Sequence, residues 1–125
     1  MVHLIFPLML AGAMPYILTL IAKAGAFSEK DNHETRNWQS RLTGWRQRAF
    51  WAHQNAFESY PLFAAAAICA HLARPGGLVT IAASWGFVAL RIGYSYCYIK
   101  DLASLRSLVW FGAMACVVTL FIAAL

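Results

Sequence analysis

Two stretches of this sequence, Leu4 to Ala22 and Ser107 to Leu125, each run for 19 residues without a charged side chain. At 1.5 Å per helical residue, such a run reaches about 28 Å, close to the ~30 Å hydrocarbon core of a bilayer. Two further apolar stretches, about 48–73 and 78–99, each carry a single charge well inside, Glu58 and Arg91, with Arg48 at the opening of the first. Composition points the same way: 61% of residues are hydrophobic and 12% charged, where soluble domains carry about 25% charged residues. A chain of 125 residues cannot bury that much apolar surface in water. The sequence predicts an all-α membrane protein, a single domain over 1–125 built as a four-transmembrane-helix bundle with spans at about 4–22, 48–73, 78–99 and 107–125. The first span has no basic region ahead of it and exceeds a signal-peptide core, so it is expected to remain in the mature protein.

The connections set the orientation. Residues 23–47 form a polar loop with Lys23, Lys30, Arg36, Arg41 and Arg46 against Glu29, Asp31 and Glu34. Within it, Asp31-Asn32-His33 reads as a turn, and Ser40 or Thr43 can cap the next helix. Arg74-Pro75-Gly76-Gly77 is a tight stop that makes the second and third spans antiparallel neighbours. Lys100 and Arg106 flank the third connection. By the positive-inside rule the first and third connections are cytoplasmic, and both termini lie on the non-cytoplasmic side. The formal charge of +5 therefore reports orientation, with the lipid bilayer as partner and no nucleic acid. The expected location is an integral, multi-pass one, the cell inner membrane if the source is bacterial. Cys69, Cys97 and Cys116 lie within apolar runs, an odd number without C-x-x-C spacing, so neither a disulfide framework nor a zinc site is expected.

Charges inside a span are expensive and ask for partners. Counted from Arg48, Asn55 lies roughly 10 Å and Glu58 roughly 15 Å into the second span, while Arg91 lies roughly 13 Å from the Lys100 exit of the third. Glu58 and Arg91 thus share a depth on adjacent helices, and a buried structural ion pair between them is the economical expectation. Arg91, Tyr94 and Tyr98 fall on one face of the third span. Ala82, Gly86, Ala89, Gly93 and Cys97 form the other, a small-residue surface suited to close helix approach. If the fourth span opens at Arg106-Ser107, its free N–H groups and dipole add an anion site. Together Arg48, Asn55, Glu58, Arg91, Tyr94, Tyr98, Arg106 and Ser107 describe an electropositive pocket for an amphiphilic anion bearing carboxylates and an amine.

The histidines point elsewhere. His53 and His71 share a helix face about 27 Å apart, but the third and fourth spans offer no second axial ligand for haem. His53 is expected to pack or meet a neighbouring subunit, His71 to lie at the interface, and His33 in the loop. No metal site is expected.

The stretch Arg48-Ala49-x-x-Ala52-His53-x-Asn55-x-x-Glu58-x-x-Pro61-x-Phe63 resembles the MAPEG family, the membrane-associated proteins in eicosanoid and glutathione metabolism. Arg91-x-x-Tyr94-x-x-x-Tyr98 and Leu105-Arg106-Ser107 support the likeness, and the four-span layout extends it to essentially the whole chain. The resemblance implies a homotrimer with glutathione as cosubstrate, bound between subunits near the cytoplasmic face. It implies that Asn55, Glu58, Tyr98, Arg106 and Ser107 contact glutathione, with Arg106 and Ser107 holding its thiolate; Arg48 and Tyr94, which spacing places in the same pocket, are expected to complete the binding set. The implied activity is that of a transferase or peroxidase acting on lipophilic electrophiles from the bilayer; the alternative is a non-catalytic member binding a lipid or a partner protein. Trp51, Gln54, Tyr94 and Trp110 stand where eukaryotic members have two arginines, a histidine and a tyrosine, and in this the chain is similar to the small bacterial members.

Overall fold

The computed structural model describes residues 1–125, which form six helices and no strand. Four are long and apolar enough to cross a membrane: α1 (Val2–Lys23), α4 (Gly44–Ala73), α5 (Leu78–Ile99) and α6 (Ala103–Ala124). The chain is therefore an integral, multi-pass membrane protein. Two short helices, α2 (Glu29–His33) and α3 (Thr35–Ser40), fold the polar connection that the sequence describes as a loop. The bounds of α5 and the end of α4 fall where expected, and the other span ends differ. The largest shifts are at the beginnings of α4 and α6, each four residues early.

The shift in α4 has a simple geometric meaning. Its 30 residues measure about 45 Å, well beyond a ~30 Å hydrocarbon core. The first turns, with Trp45, Arg46 and Arg48, exceed that length and serve as a post for the connection. Arg46 Nη2 donates to the Ala24 carbonyl at 2.9 Å, just past the end of α1. Trp38 of α3 is buried, its indole N–H donating to the Ala26 carbonyl at 3.2 Å and its ring meeting Phe27 edge-on.

The start of α2 is closed by a capping box, not the turn expected from Asp31-Asn32-His33. The Asp31 carboxylate accepts from the Ser28 hydroxyl at 2.6 Å and the Ser28 N–H at 3.0 Å, while Ser28 Oγ accepts from the Asp31 N–H at 3.4 Å. The hydroxyl contact first, then the backbone contact, holds Asp31 below its ordinary value of 3.8, with the charge of Arg41 adding to both. A lowered folded value means that the stabilisation is complete above the unfolded value and is lost as pH falls through the folded one. Amide protection over residues 28–33 is therefore expected to fade below about pH 4 while the spans stay protected. Hydrogen exchange at a series of pH values checks this; uniform protection through the acid range would contradict it.

Packing among the spans follows the small residues. The stripe on α5 lies against α6: a Cβ on Gly86 would stand 3.3 Å from Cys116 Sγ, and one on Gly93 3.7 Å from Val109. On the other side, Gly12 of α1 admits the ring of Tyr60 from α4, which lies 3.2 Å from where a Cβ would be. At the centre, Phe63 of α4 and Phe87 of α5 are fully buried and stack with centroids 4.0 Å apart. The prolines leave α1 and α4 continuous. Near Pro15, His53 of α4 reaches across to α1, with Nδ1 2.7 Å from the Pro15 carbonyl and 2.7 Å from Thr19 Oγ1.

The α5–α6 connection is only three residues long. Asp101 takes the left-handed conformation at φ 61°, its N–H bonds the Tyr98 carbonyl, and the Leu102 N–H bonds the Cys97 carbonyl at 2.8 Å. This is a Schellman motif with aspartate in place of the usual glycine. It turns the chain so tightly that α6 begins at Ala103 rather than at Ser107. The start of α4, the end of α5 and the start of α6 consequently gather at one end of the bundle, called the loop end below.

Candidate functional site

The expected Glu58–Arg91 ion pair is not made. Arg91 is 1% exposed, and its Nη2 donates at 2.9 Å to Asn55 Oδ1. Asn55 in turn donates through Nδ2 to Glu58 Oε2 at 3.3 Å. A neutral amide bridges the two charges because α4 turns Glu58 outward, where it is exposed, while Asn55 lies three residues earlier on the side nearer α5. The only direct ion pair in the chain joins Arg41 and Asp31 at 3.4 Å in the polar connection. Arg91 Nη1 has no hydrogen-bond partner; its guanidinium lies 4.2 Å over the Tyr94 ring, where the π face supplies part of the compensation.

From Arg91 the contacts continue toward the loop end. Tyr94 meets Tyr98 edge-on at 5.6 Å, and the Arg106 guanidinium lies 4.3 Å over Tyr98. Arg91, Tyr94, Tyr98 and Arg106 thus form a cation–aromatic stack that joins α5 to α6. The spacing of the three α5 residues brings them to one face, and the early start of α6 puts Arg106 one turn inside that helix, level with Tyr98. Its N–H is already bonded to the Leu102 carbonyl at 2.8 Å, so the free helix N–H groups belong to residues 103–105, not to Arg106 and Ser107. Ser107 is exposed, and its hydroxyl donates to the Ala103 carbonyl at 3.2 Å, which leaves the oxygen's lone pairs for an incoming donor.

Beside this stack lies an open recess of about 340 Å³ lined by Trp51, Gln54, Asn55, Glu58 and Tyr98. Positions 51, 54, 55 and 58 share one face of α4 by helical spacing, and Tyr98 closes the side toward α5. The lining differs from the electropositive pocket expected: it holds one carboxylate and no cation. Arg106 reaches it only across the Tyr98 ring. Tyr94 is buried and backs Tyr98 without lining the recess. Arg48 is committed elsewhere, its Nε donating at 3.1 Å to the Ile99 carbonyl, where it closes an orphan acceptor at the end of α5.

A second recess, about 380 Å³, is lined by Thr35, Arg36, Gln39, Phe50, His53 and Gln54. Of these, Arg36, Gln39 and Gln54 have no site role in the sequence expectation. Gln54 was legible as a face-mate of Glu58, but nothing in the spacing places α3 against α4. His71, expected at the interface, is buried, with Nδ1 donating to its own helix at the Ala67 carbonyl.

The family model of the MAPEG family matches residues 2–125, essentially the whole chain. The chain is a MAPEG protein. That family includes glutathione transferases and peroxidases as well as non-catalytic members. No curated protein and no solved structure matches the chain.

Proposed function

We propose that this MAPEG protein is a glutathione-dependent transferase or peroxidase acting on lipophilic electrophiles, working as a homotrimer with the loop end in the cytoplasm and, in a bacterium, in the inner membrane. The observation that supports it best is the polar relay from Arg91 through Asn55 to Glu58, set beside the Tyr98–Arg106 pair on one recess. Glu58 offers an exposed carboxylate for the glutathione amine, and Gln54 and Asn55 offer amides for its backbone. Arg106 stands near the loop end of α6 to meet the sulfur, and the Ser107 hydroxyl donates to it on turning from the Ala103 carbonyl. A cation beside a thiol favours the thiolate, which is the nucleophile. Conjugation then forms a bond from that sulfur to the electrophilic carbon, displacing a leaving group or opening a ring.

Lateral entry suits the fold. The recess is open and carries the exposed ring of Trp51 on its lining, so an apolar substrate entering from the bilayer would meet an apolar wall. A non-catalytic role in binding a lipid or partner protein has one observation in its favour: the recess lining carries no cation, with Trp51 and Gln54 where the family's eukaryotic members have arginines. Titration of the detergent-solubilised protein with glutathione, with subunit mass measured alongside, tests the choice. Saturable binding to a trimer is the expected result; no binding supports the non-catalytic role.

A further inference from the structure

At the end of the bundle opposite the loop end, a recess of about 490 Å³ lies where the α4–α5 turn meets the last turns of α6. Its polar side chains are Arg74, Thr80 and Thr119, and the proposed glutathione chemistry makes no use of it. Arg74 is exposed, and the chain's one direct ion pair lies elsewhere, between Arg41 and Asp31. No acidic side chain is near. Glu29, Asp31 and Glu34 are in the polar connection, and Asp101 follows the far end of α5. Glu58 is 16 residues back along α4, about 24 Å of helix.

Thr80 is 1% exposed and lines this recess. It joins the side-chain hydrogen bonding only through its carbonyl, which accepts from Ser84 at 2.8 Å; its hydroxyl makes no bond. The hydroxyls of Ser84, Ser95 and Thr119 each donate to the carbonyl four residues back. Thr80 stands in the first turn of α5, where the residue four back, Gly76, lies outside the helix. The same turn leaves the N–H groups of residues 78–80 free, since Ile81 is the first to reach a backbone acceptor, the Gly77 carbonyl at 3.0 Å. Gly77 keeps the hydroxyl uncovered. Its φ of −59° is open to any residue, so conformation does not call for glycine here. A Cβ at this position would stand 3.4 Å from the Thr80 hydroxyl oxygen and 3.3 Å from the Arg74 carbonyl oxygen.

We propose that this recess holds the phosphodiester of a membrane phospholipid, with Arg74 as its counter-ion, Thr80 as a hydroxyl donor and an acyl chain along Leu78 and Ile122. The phosphate supplies the negative charge that this end of the bundle lacks, together with acceptors for the hydroxyl and the free N–H groups. The surroundings favour a lipid over a free anion. Leu78, Val79 and Ile122 of the lining are all more than half exposed in a protein that spans a bilayer. An arginine that merely anchored a helix end would need neither a residue 77 without a side chain nor a buried hydroxyl without a partner. The site stands apart from the loop end and does not depend on glutathione.

Thr80→Val is the sharpest test, because fold and ligand pull it in opposite directions. Valine keeps the shape and removes an unpaired buried hydroxyl, a change that is neutral or stabilising by itself. Delipidated wild type, Thr80→Val and Arg74→Gln are melted in neutral detergent alone, with phosphatidylglycerol, with diacylglycerol of the same acyl chains, and with inorganic phosphate. In detergent alone Thr80→Val is expected to melt at or above wild type. Phosphatidylglycerol should raise the wild-type melting temperature saturably, and diacylglycerol or phosphate much less. The phosphatidylglycerol concentration that gives half the shift should rise about two- to tenfold in Thr80→Val, the range for one hydrogen bond. In Arg74→Gln it should rise about three- to tenfold for the lost charge-assisted contact. Responses of both variants equal to wild type overturn the site, and so does a Thr80→Val protein that melts below wild type in detergent alone, which gives the hydroxyl a structural partner. An equal shift with diacylglycerol shows acyl-chain contact without a phosphate site, and an equal shift with inorganic phosphate shows a free-anion site; either overturns the proposal.

Discussion

Replacing Arg106 with alanine is expected to lower kcat/KM for conjugation by about 100- to 1000-fold, the usual loss when one donor to a developing or bound anion is removed from a site. The protein should remain folded. Arg106 is half-buried and contributes one guanidinium–ring contact with Tyr98, worth about 0.5–1 kcal/mol at such a site, and its backbone bond to Leu102 survives the change. Glutathione affinity should fall much less than the rate, because the proposed contacts of Glu58 with the amine and of Gln54 and Asn55 with the backbone are untouched. Arg106→Lys should recover part of the rate by restoring charge without the planar fork. Steady-state rates with a lipophilic electrophile, measured beside direct binding, separate the two effects. Rates within about threefold of wild type would place Arg106 away from the sulfur, since that is well under one lost charge-assisted bond.

The second large effect concerns stability and follows from the amide bridge. Asn55→Ala removes the only hydrogen-bond partner of a guanidinium that is 1% exposed. Leaving a buried charge without its partner costs about 3–5 kcal/mol in proteins; here the Tyr94 ring remains beneath the group, so about 3 kcal/mol is expected. Glu58→Ala should cost less than about 1 kcal/mol, because Glu58 is exposed and its link to Arg91 is indirect. A direct Glu58–Arg91 pair requires the reverse, with the Glu58 variant the more damaged. Unfolding titrations of the two variants in mixed micelles decide between the arrangements. The Glu58 variant should lose glutathione affinity instead, so that the two neighbouring residues divide between fold and ligand.

The fold was legible because membrane spans are written in the crudest property of the sequence. Charge-free runs near the bilayer thickness, separated by a polar connection and a Pro-Gly-Gly stop, leave few alternatives to four helices. The small-residue face of α5 was readable for the same reason, since glycine and alanine at helical spacing have little other use in a span. What the spacing could not resolve was side-chain reach. Depth along a helix placed Glu58 level with Arg91, but rotation about the axis sends the carboxylate outward and makes Asn55 the bridge. A difference of three residues on α4 separates a buried contact from an exposed one.

The start of α6 was hidden for a backbone reason. Asp101 in a left-handed conformation carries no glycine signal, so the turn that begins α6 four residues early had no mark in the sequence. Its consequence is that Arg106 faces Tyr98 from within a helix instead of from its end. Arg36 and Gln39 were missed because α3 is too short to show a period, and its place against α4 depends on the burial of Trp38, a tertiary contact. Arg48, read as a ligand residue from its charge and position, closes the end of α5 through the Ile99 carbonyl.

The most direct test of the proposed chemistry is the ultraviolet absorbance of thiolate on mixing the purified protein with glutathione near neutral pH, where the free thiol is mostly protonated. The expected result is a saturable thiolate signal approaching a fixed fraction of the subunits, lost in Arg106→Ala while binding persists. Binding without any thiolate signal in the wild-type protein would contradict a role for Arg106 and Ser107 at the sulfur, and with it the proposed transferase.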